Sequence, residues 1–162
     1  MKSKLFNKLL LFSLFGIALG FFGILYEGSV FIPKMLDSSM TRMLFWKDFY
    51  AVLNPIIYYL PLLPMATGIS VFLYFKTPKQ KTELKKRLKL ASIFQIVSLA
   101  FTFYIVTQIN LKLCFSNIEK YADVIPARVV LLNILSVFRL ALTAIALASI
   151  FKAYIQAQKD QN

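Results

Sequence analysis

Four stretches of this 162-residue chain run nearly free of charge for long enough to cross a lipid bilayer, and nothing else about it narrows the possible folds so far. They occupy residues 9–32, 51–75, 90–111 and 129–151. At about 1.5 Å of rise per residue each helix would reach roughly 33 Å or more, against a hydrocarbon core of about 30 Å. The predicted fold is all-α: one domain over residues 1–162, a four-transmembrane-helix bundle with short external loops. A hydrophobic content of 59%, rich in Phe and Tyr, leaves almost no soluble mass outside it.

The formal net charge of +12 invites a nucleic-acid reading, but its distribution points to membrane topology. Lys2, Lys4 and Lys8 precede the first stretch. The second and third are joined by "KTPKQKTELKKRLK", and Lys152 and Lys159 follow the fourth. If the helices alternate, these residues share one side. The other side receives half as many: Lys34, Arg42, Lys47, Lys112, Lys120 and Arg128. Basic residues favour the cytoplasmic face, so both termini and the 76–89 loop are expected inside a cell membrane. That loop lacks interleaved aromatics for base stacking, so no nucleic acid is expected as a partner. Attraction to anionic headgroups is a further use for it, though orientation alone accounts for the cluster. A cleaved signal peptide is the rival reading of the N-terminus. The apolar run is too long for that, and no A-x-A site follows it.

A single cysteine, Cys114, and the absence of histidine remove several chemistries at once. A C-x-x-C pair, an internal disulfide, histidine-ligated haem, the common zinc sites and a histidine general base all go. No metal or cofactor is expected. Catalysis, if there is any, must use carboxylate, amide, phenol, guanidinium or lysine.

Several local features refine the topology. In the first external loop, residues 33–50, Ser38 or Ser39 is placed to cap a short helix. Met43, Leu44, Trp46, Phe49 and Tyr50 suit an interfacial aromatic belt, or a lid over an outward-facing pocket. The second stretch contains Pro55, Pro61 and Pro64. Pro55 falls near its start, whereas Pro61 and Pro64 are expected to kink the helix. In the second external loop, residues 112–128, one or two helical turns are expected before Pro126 ends them.

The polar residues within the stretches are spaced to share faces. Gly16, Gly20, Gly23 and Glu27 form one stripe of the first helix, and "GIALG" is a small-xxx-small pattern that admits a close neighbour. Asn54, Tyr58, Pro61, Met65 and Gly68 make the corresponding stripe on the second. Gln95, Ser98 and Thr102 line the third, with Gln108 and Asn110 near its outer end. Asn133, Ser136, Arg139 and Thr143 share an arc of the fourth. From the helical rise, Glu27 lies roughly 8 Å below the outer boundary, Asn133 about 6 Å and Arg139 about 15 Å. A lone charge in hydrocarbon costs at least ~2.5 kcal/mol, and an arginine stem reaches several ångströms. Glu27 and Arg139 are therefore expected to pair or to share a bridging water.

Four segments carry a resemblance: "VFIPKML", "FYAVLNPIIYYLP", "TQINLKL" and "LNILSVFR". The chain resembles the anthrone-oxygenase-like family of small four-helix membrane proteins. There a proline closes the first helix, Asn-Pro opens the second, Asn-x-x-Leu ends the third and an arginine sits in the fourth. The matching positions are Pro33, Asn54, Pro55, Asn110, Leu113 and Arg139. The resemblance implies the four-helix fold and, more distantly, cofactor-free oxidation of anthrones to anthraquinones.

Two functional expectations follow. One is an outward-opening polar pocket for a flat, apolar, partly phenolic small molecule. Glu27 would be proton acceptor and Arg139 oxyanion stabiliser, with Asn54, Tyr58, Asn110 and Asn133 as ligand-binding groups and Tyr104 as a weaker candidate. The other is a non-enzymatic scaffold, partner subunit or transporter whose buried charges specify helix pairing, with homo-oligomerisation through the glycine seam open to it. Membrane lipids are partners in either case.

Overall fold

A computed structural model describes residues 3–31, 36, 39–52, 61–114 and 118–160. Among them every regular element is helical. Helix α1 spans Ser3–Tyr26 and continues into a π-helical turn, Glu27–Phe31. Helix α2 is Met40–Val52, α3 is Leu62–Lys76 and α4 is Thr82–Tyr104. A second π-helical segment, Ile105–Asn110, extends α4, and a single turn, Leu111–Cys114, follows it. A 3-10 segment, Ile118–Val124, then leads into the 35-residue helix α5, Ile125–Lys159.

Three helical runs are long and apolar enough to cross a bilayer: Lys4–Val30, Thr82–Asn110 and Ile125–Lys159. The apolar helix α3, at 15 residues, is shorter. Its packing follows from where its polar atoms go. Ser13 Oγ donates to the Ala66 carbonyl at 2.8 Å and lies 2.6 Å from Ser70 Oγ, joining α1 to α3. Gly16 and Gly20 face the same helix. A Cβ on Gly16 would lie 2.7 Å from the Ala66 Cβ, and one on Gly20 would overlap the Leu63 side chain. The small-xxx-small seam therefore serves packing within the chain. Helix α1 packs on α3 and α5, and α4 packs on the same two.

The distribution of apolar surface is the reverse of a soluble domain's. Phe15, Phe22, Phe75, Val137 and Phe138 are each about 60% exposed or more, whereas Ser13, Ser70, Gln95, Ser98 and Thr143 are fully buried. A continuous outer coat of large apolar side chains over a core of small and polar ones matches lipid as the surrounding solvent. Two apolar clusters fill the interior. One, at the end bearing the basic loop, gathers Leu10, Leu73, Leu88, Ile150 and Ala153. The other, at the opposite end, sets Met43 and Trp46 of α2 against Ile105, Ile109, Ile125 and Val129. Helix α2 thus closes the end opposite the basic loop.

Three sequence expectations change. Pro61 and Pro64 were expected to kink the second stretch. Pro61 instead occupies the N-cap position of α3 and Pro64 its first turn, where a missing amide has no intrahelical acceptor to lose. Ala51 and Val52, expected to begin that stretch, are the last residues of α2, and residues 53–60 lie outside the described residues. Pro126, expected to end a helix, opens one: it stands in the first turn of α5, where its fixed φ suits helix entry.

Candidate functional site

Arg139 is held by its own turn of helix and by its neighbours. Its carbonyl accepts a hydrogen bond from Thr143 Oγ1 at 2.8 Å, and Thr143 Oγ1 lies 2.7 Å from Ser98 Oγ of α4. The turn carrying the guanidinium is therefore tied to the helix beside it. Its side chain is only 4% exposed and points across to α1, where Nη2 donates to Glu27 Oε2 at 2.7 Å. Glu27 is 14% exposed. The short distance marks a charge-assisted bond, the geometry that makes a buried arginine tolerable. The expected pairing of these two residues is thus direct.

The guanidinium is not saturated. Arg139 Nε is buried and has no hydrogen-bond partner among the described residues. Glu27 is also the first residue of the π-helical turn, and the α4 π segment contains Asn110. π-helical turns widen the i→i−4 ladder and re-aim side chains, and they concentrate at functional positions. Sequence periodicity did not reveal them. The signals available were the Gly28–Ser29 pair after Glu27 and the β-branched Ile105, Val106 and Thr107, all weak helix formers. The second π segment leaves the Gln108 carbonyl available to Arg128, whose guanidinium donates to it and stacks 6.0 Å from the Tyr121 ring.

The other candidate residues are only partly drawn in. Asn133 and Asn110 are half-buried, and neither is hydrogen-bonded to Glu27 or Arg139. Tyr104 is 47% exposed and lines an open cleft of about 270 Å³ with Gln108, Ile109, Val124 and Arg128, away from the ion pair. Asn54, Tyr58, Pro33 and Pro55 lie outside the described residues. The Leu111–Cys114 turn carries the matching Leu113.

Sequence reasoning passed over the Ser13–Ser70 contact, because single serines in an apolar run carry no pattern of their own. It placed Gln95 on a polar face, and the structure shows the consequence. Gln95 is fully buried, and neither its Oε1 nor its Nε2 has a partner among the described residues. No group of three or more metal-binding side chains occurs among the described residues. Comparison with known proteins adds nothing to these observations: no family model, no curated protein and no solved structure matches the chain.

Proposed function

We propose that the chain is a multi-pass membrane protein that crosses the bilayer four times, with a second span that includes α3 and both termini cytoplasmic. The asymmetry of basic residues supports this orientation. On that reading, the outer half of the bundle holds a polar site for an apolar, partly phenolic small molecule. Glu27 acts as proton acceptor and Arg139 steadies the resulting oxyanion. Asn54, Tyr58, Asn110 and Asn133 position the ligand.

One observation carries the proposal: a buried guanidinium with an unpartnered Nε stands 2.7 Å from a carboxylate that begins a π-helical turn. A pair serving helix association alone has no use for the spare donor or the irregular backbone. The resemblance to anthrone-oxygenase-like proteins points to the same ligand class, and the reaction it proposes is cofactor-free oxidation by dioxygen as co-substrate, in which an anthrone and O2 give the anthraquinone and water.

The second reading, a scaffold in which the ion pair is a staple, is favoured by Ser13–Ser70 and Ser98–Thr143, polar contacts whose evident work is joining helices. Titrating a hydroxyanthrone into the detergent-purified protein separates the two. The wild type and Glu27→Gln are compared at a temperature where circular dichroism shows both folded. Loss of binding and turnover in the variant supports the pocket. Indistinguishable behaviour, with neither binding the probe, returns the pair to a purely structural role.

A further inference from the structure

At the end of the molecule bearing the basic loop, α4 and α5 flank an open cleft of about 210 Å³ lined by Glu83, Arg87, Lys152, Ile155 and Gln156. Its depth follows from the register of the two helices. Lys81 Nζ meets Asp160 Oδ2 at 2.7 Å and Ser98 meets Thr143 at 2.7 Å, so the helices run antiparallel and in step between those contacts. Eight residues on from Lys81 and eight back from Asp160, Lys89 and Lys152 stand at one level. On the far side of them both helices are apolar. The cleft therefore opens at the boundary between lipid and water, if these helices span as proposed above.

Its cations differ from Lys81 and Lys85 in how they are held. Lys81 is bound to Asp160, and Lys85 donates to the Thr77 carbonyl and stacks on Tyr74. Lys152 has no hydrogen bond or ion pair among the described residues. The approach of Arg87 to Glu83, at 3.9 Å, is too long to satisfy its donors. Lys152 is thus uncommitted and Arg87 only loosely paired, and both line the cleft.

Away from the cleft, the helix stripes that carry its cations turn apolar. At steps of three and four, Leu90 and Phe94 extend the Glu83–Arg87 stripe of α4, while Ala148, Ile145 and Ala141 extend the Lys152 stripe of α5. Ile145 is 44% exposed, and Ala141 and Ala148 are exposed as well, their small side chains leaving a shallow furrow toward the bilayer interior. Paired cations at headgroup depth above an apolar furrow complement one amphiphile in charge and polarity.

We propose that the α4–α5 cleft is a binding site for an anionic phospholipid, whose phosphate is held by Arg87 and Lys152 and whose acyl chain lies along Phe94, Ile145 and Ala148. Glu83 stands at the mouth, 64% exposed, and opposes the same ligand by repulsion. The assignment rests on the transmembrane reading but not on the Glu27 site, and its test is independent of any small-molecule activity.

The test is native mass spectrometry of the full chain released from detergent after incubation with phosphatidylglycerol or with phosphatidylcholine of identical acyl chains. Phosphatidylglycerol is expected to be retained preferentially. Lys152→Gln and Arg87→Gln should each weaken retention about fivefold, the worth of one basic side chain at an anionic surface. Glu83→Gln should strengthen it, Ala148→Leu should weaken it by filling the furrow, and Lys79→Gln should leave it unchanged as the charge-matched control. Equal retention of the two lipids would overturn the proposal, as would insensitivity to Arg87 and Lys152. Displacement of the lipid by millimolar inorganic phosphate would also overturn it, since that identifies a site for a free anion.

Discussion

Replacing Glu27 by glutamine keeps the shape of the side chain and one acceptor oxygen but removes its charge, leaving the Arg139 guanidinium cationic and 4% exposed. At an effective dielectric near 20, opposite charges about 4 Å apart attract by roughly 4 kcal/mol. Removing one member of a buried pair typically costs about 3 to 5 kcal/mol, so Glu27→Gln should lower the folded-to-unfolded ratio by roughly two to four orders of magnitude. The reverse change is not symmetrical. Arg139→Gln instead leaves a carboxylate at the more exposed of the two positions, 14% against 4%. A guanidinium, by contrast, cannot neutralise itself by losing a proton. Arg139→Gln should therefore cost less, about 1 to 3 kcal/mol. In the double variant both charges are gone, and its loss should be well below the sum of the single losses. Reversible denaturant titration in bicelles, followed by tryptophan fluorescence of Trp46, measures all four corners of the cycle. Additive losses, or an arginine substitution costlier than the glutamate one, would refute the reasoning.

Gly16→Ala should destabilise by about 1 to 3 kcal/mol despite the better helix propensity of alanine, because its Cβ would fall 2.7 Å from the Ala66 Cβ. Thermal unfolding in detergent should show recovery when Ala66→Gly is added, and a lack of recovery would place the clash elsewhere. Gln95→Leu removes a fully buried amide that no described group engages, and should raise stability by about 1 to 3 kcal/mol in the same assay. A loss would mean that the amide is satisfied. The hydrogen bond from Lys81, followed by that from Gln156, holds the Asp160 carboxyl below its ordinary value. Because the unfolded chain binds that proton more readily, the contribution of this clip is fully present above about pH 4 and is lost as pH falls through the lowered value. Hydrogen exchange at the end of α5 should accelerate in acid, and Asp160→Asn should abolish that dependence at the same residues.

The long helices were legible because their determinants are local: an apolar run longer than a bilayer is thick admits few other solutions. The ends were not. Helix α1 begins at Ser3, α4 at Thr82 and α5 continues to Lys159, all beyond the charge-free limits, because Lys and Glu are adequate helix formers and the register contacts hold them. The ion pair was also legible, since two opposite charges on stripes facing inward, within reach of an arginine stem, have few other partners. Two things were not. Proline is a helix opener or a helix breaker according to where the helix starts, and for Pro61, Pro64 and Pro126 that depended on tertiary packing. The serine contact between α1 and α3 depends on a helix crossing that no periodicity encodes.

The turns at Glu27–Phe31 and Ile105–Asn110 hold one residue more per hydrogen-bonded ring than the helices they extend. Chain length is thereby a structural variable in its own right at these two points. Excising a single amino acid from either would let ordinary winding resume and remove the widened turn that aims Glu27 or Asn110. Around Glu27 and Asn110, then, a one-codon gap would disturb the molecule more than most replacements.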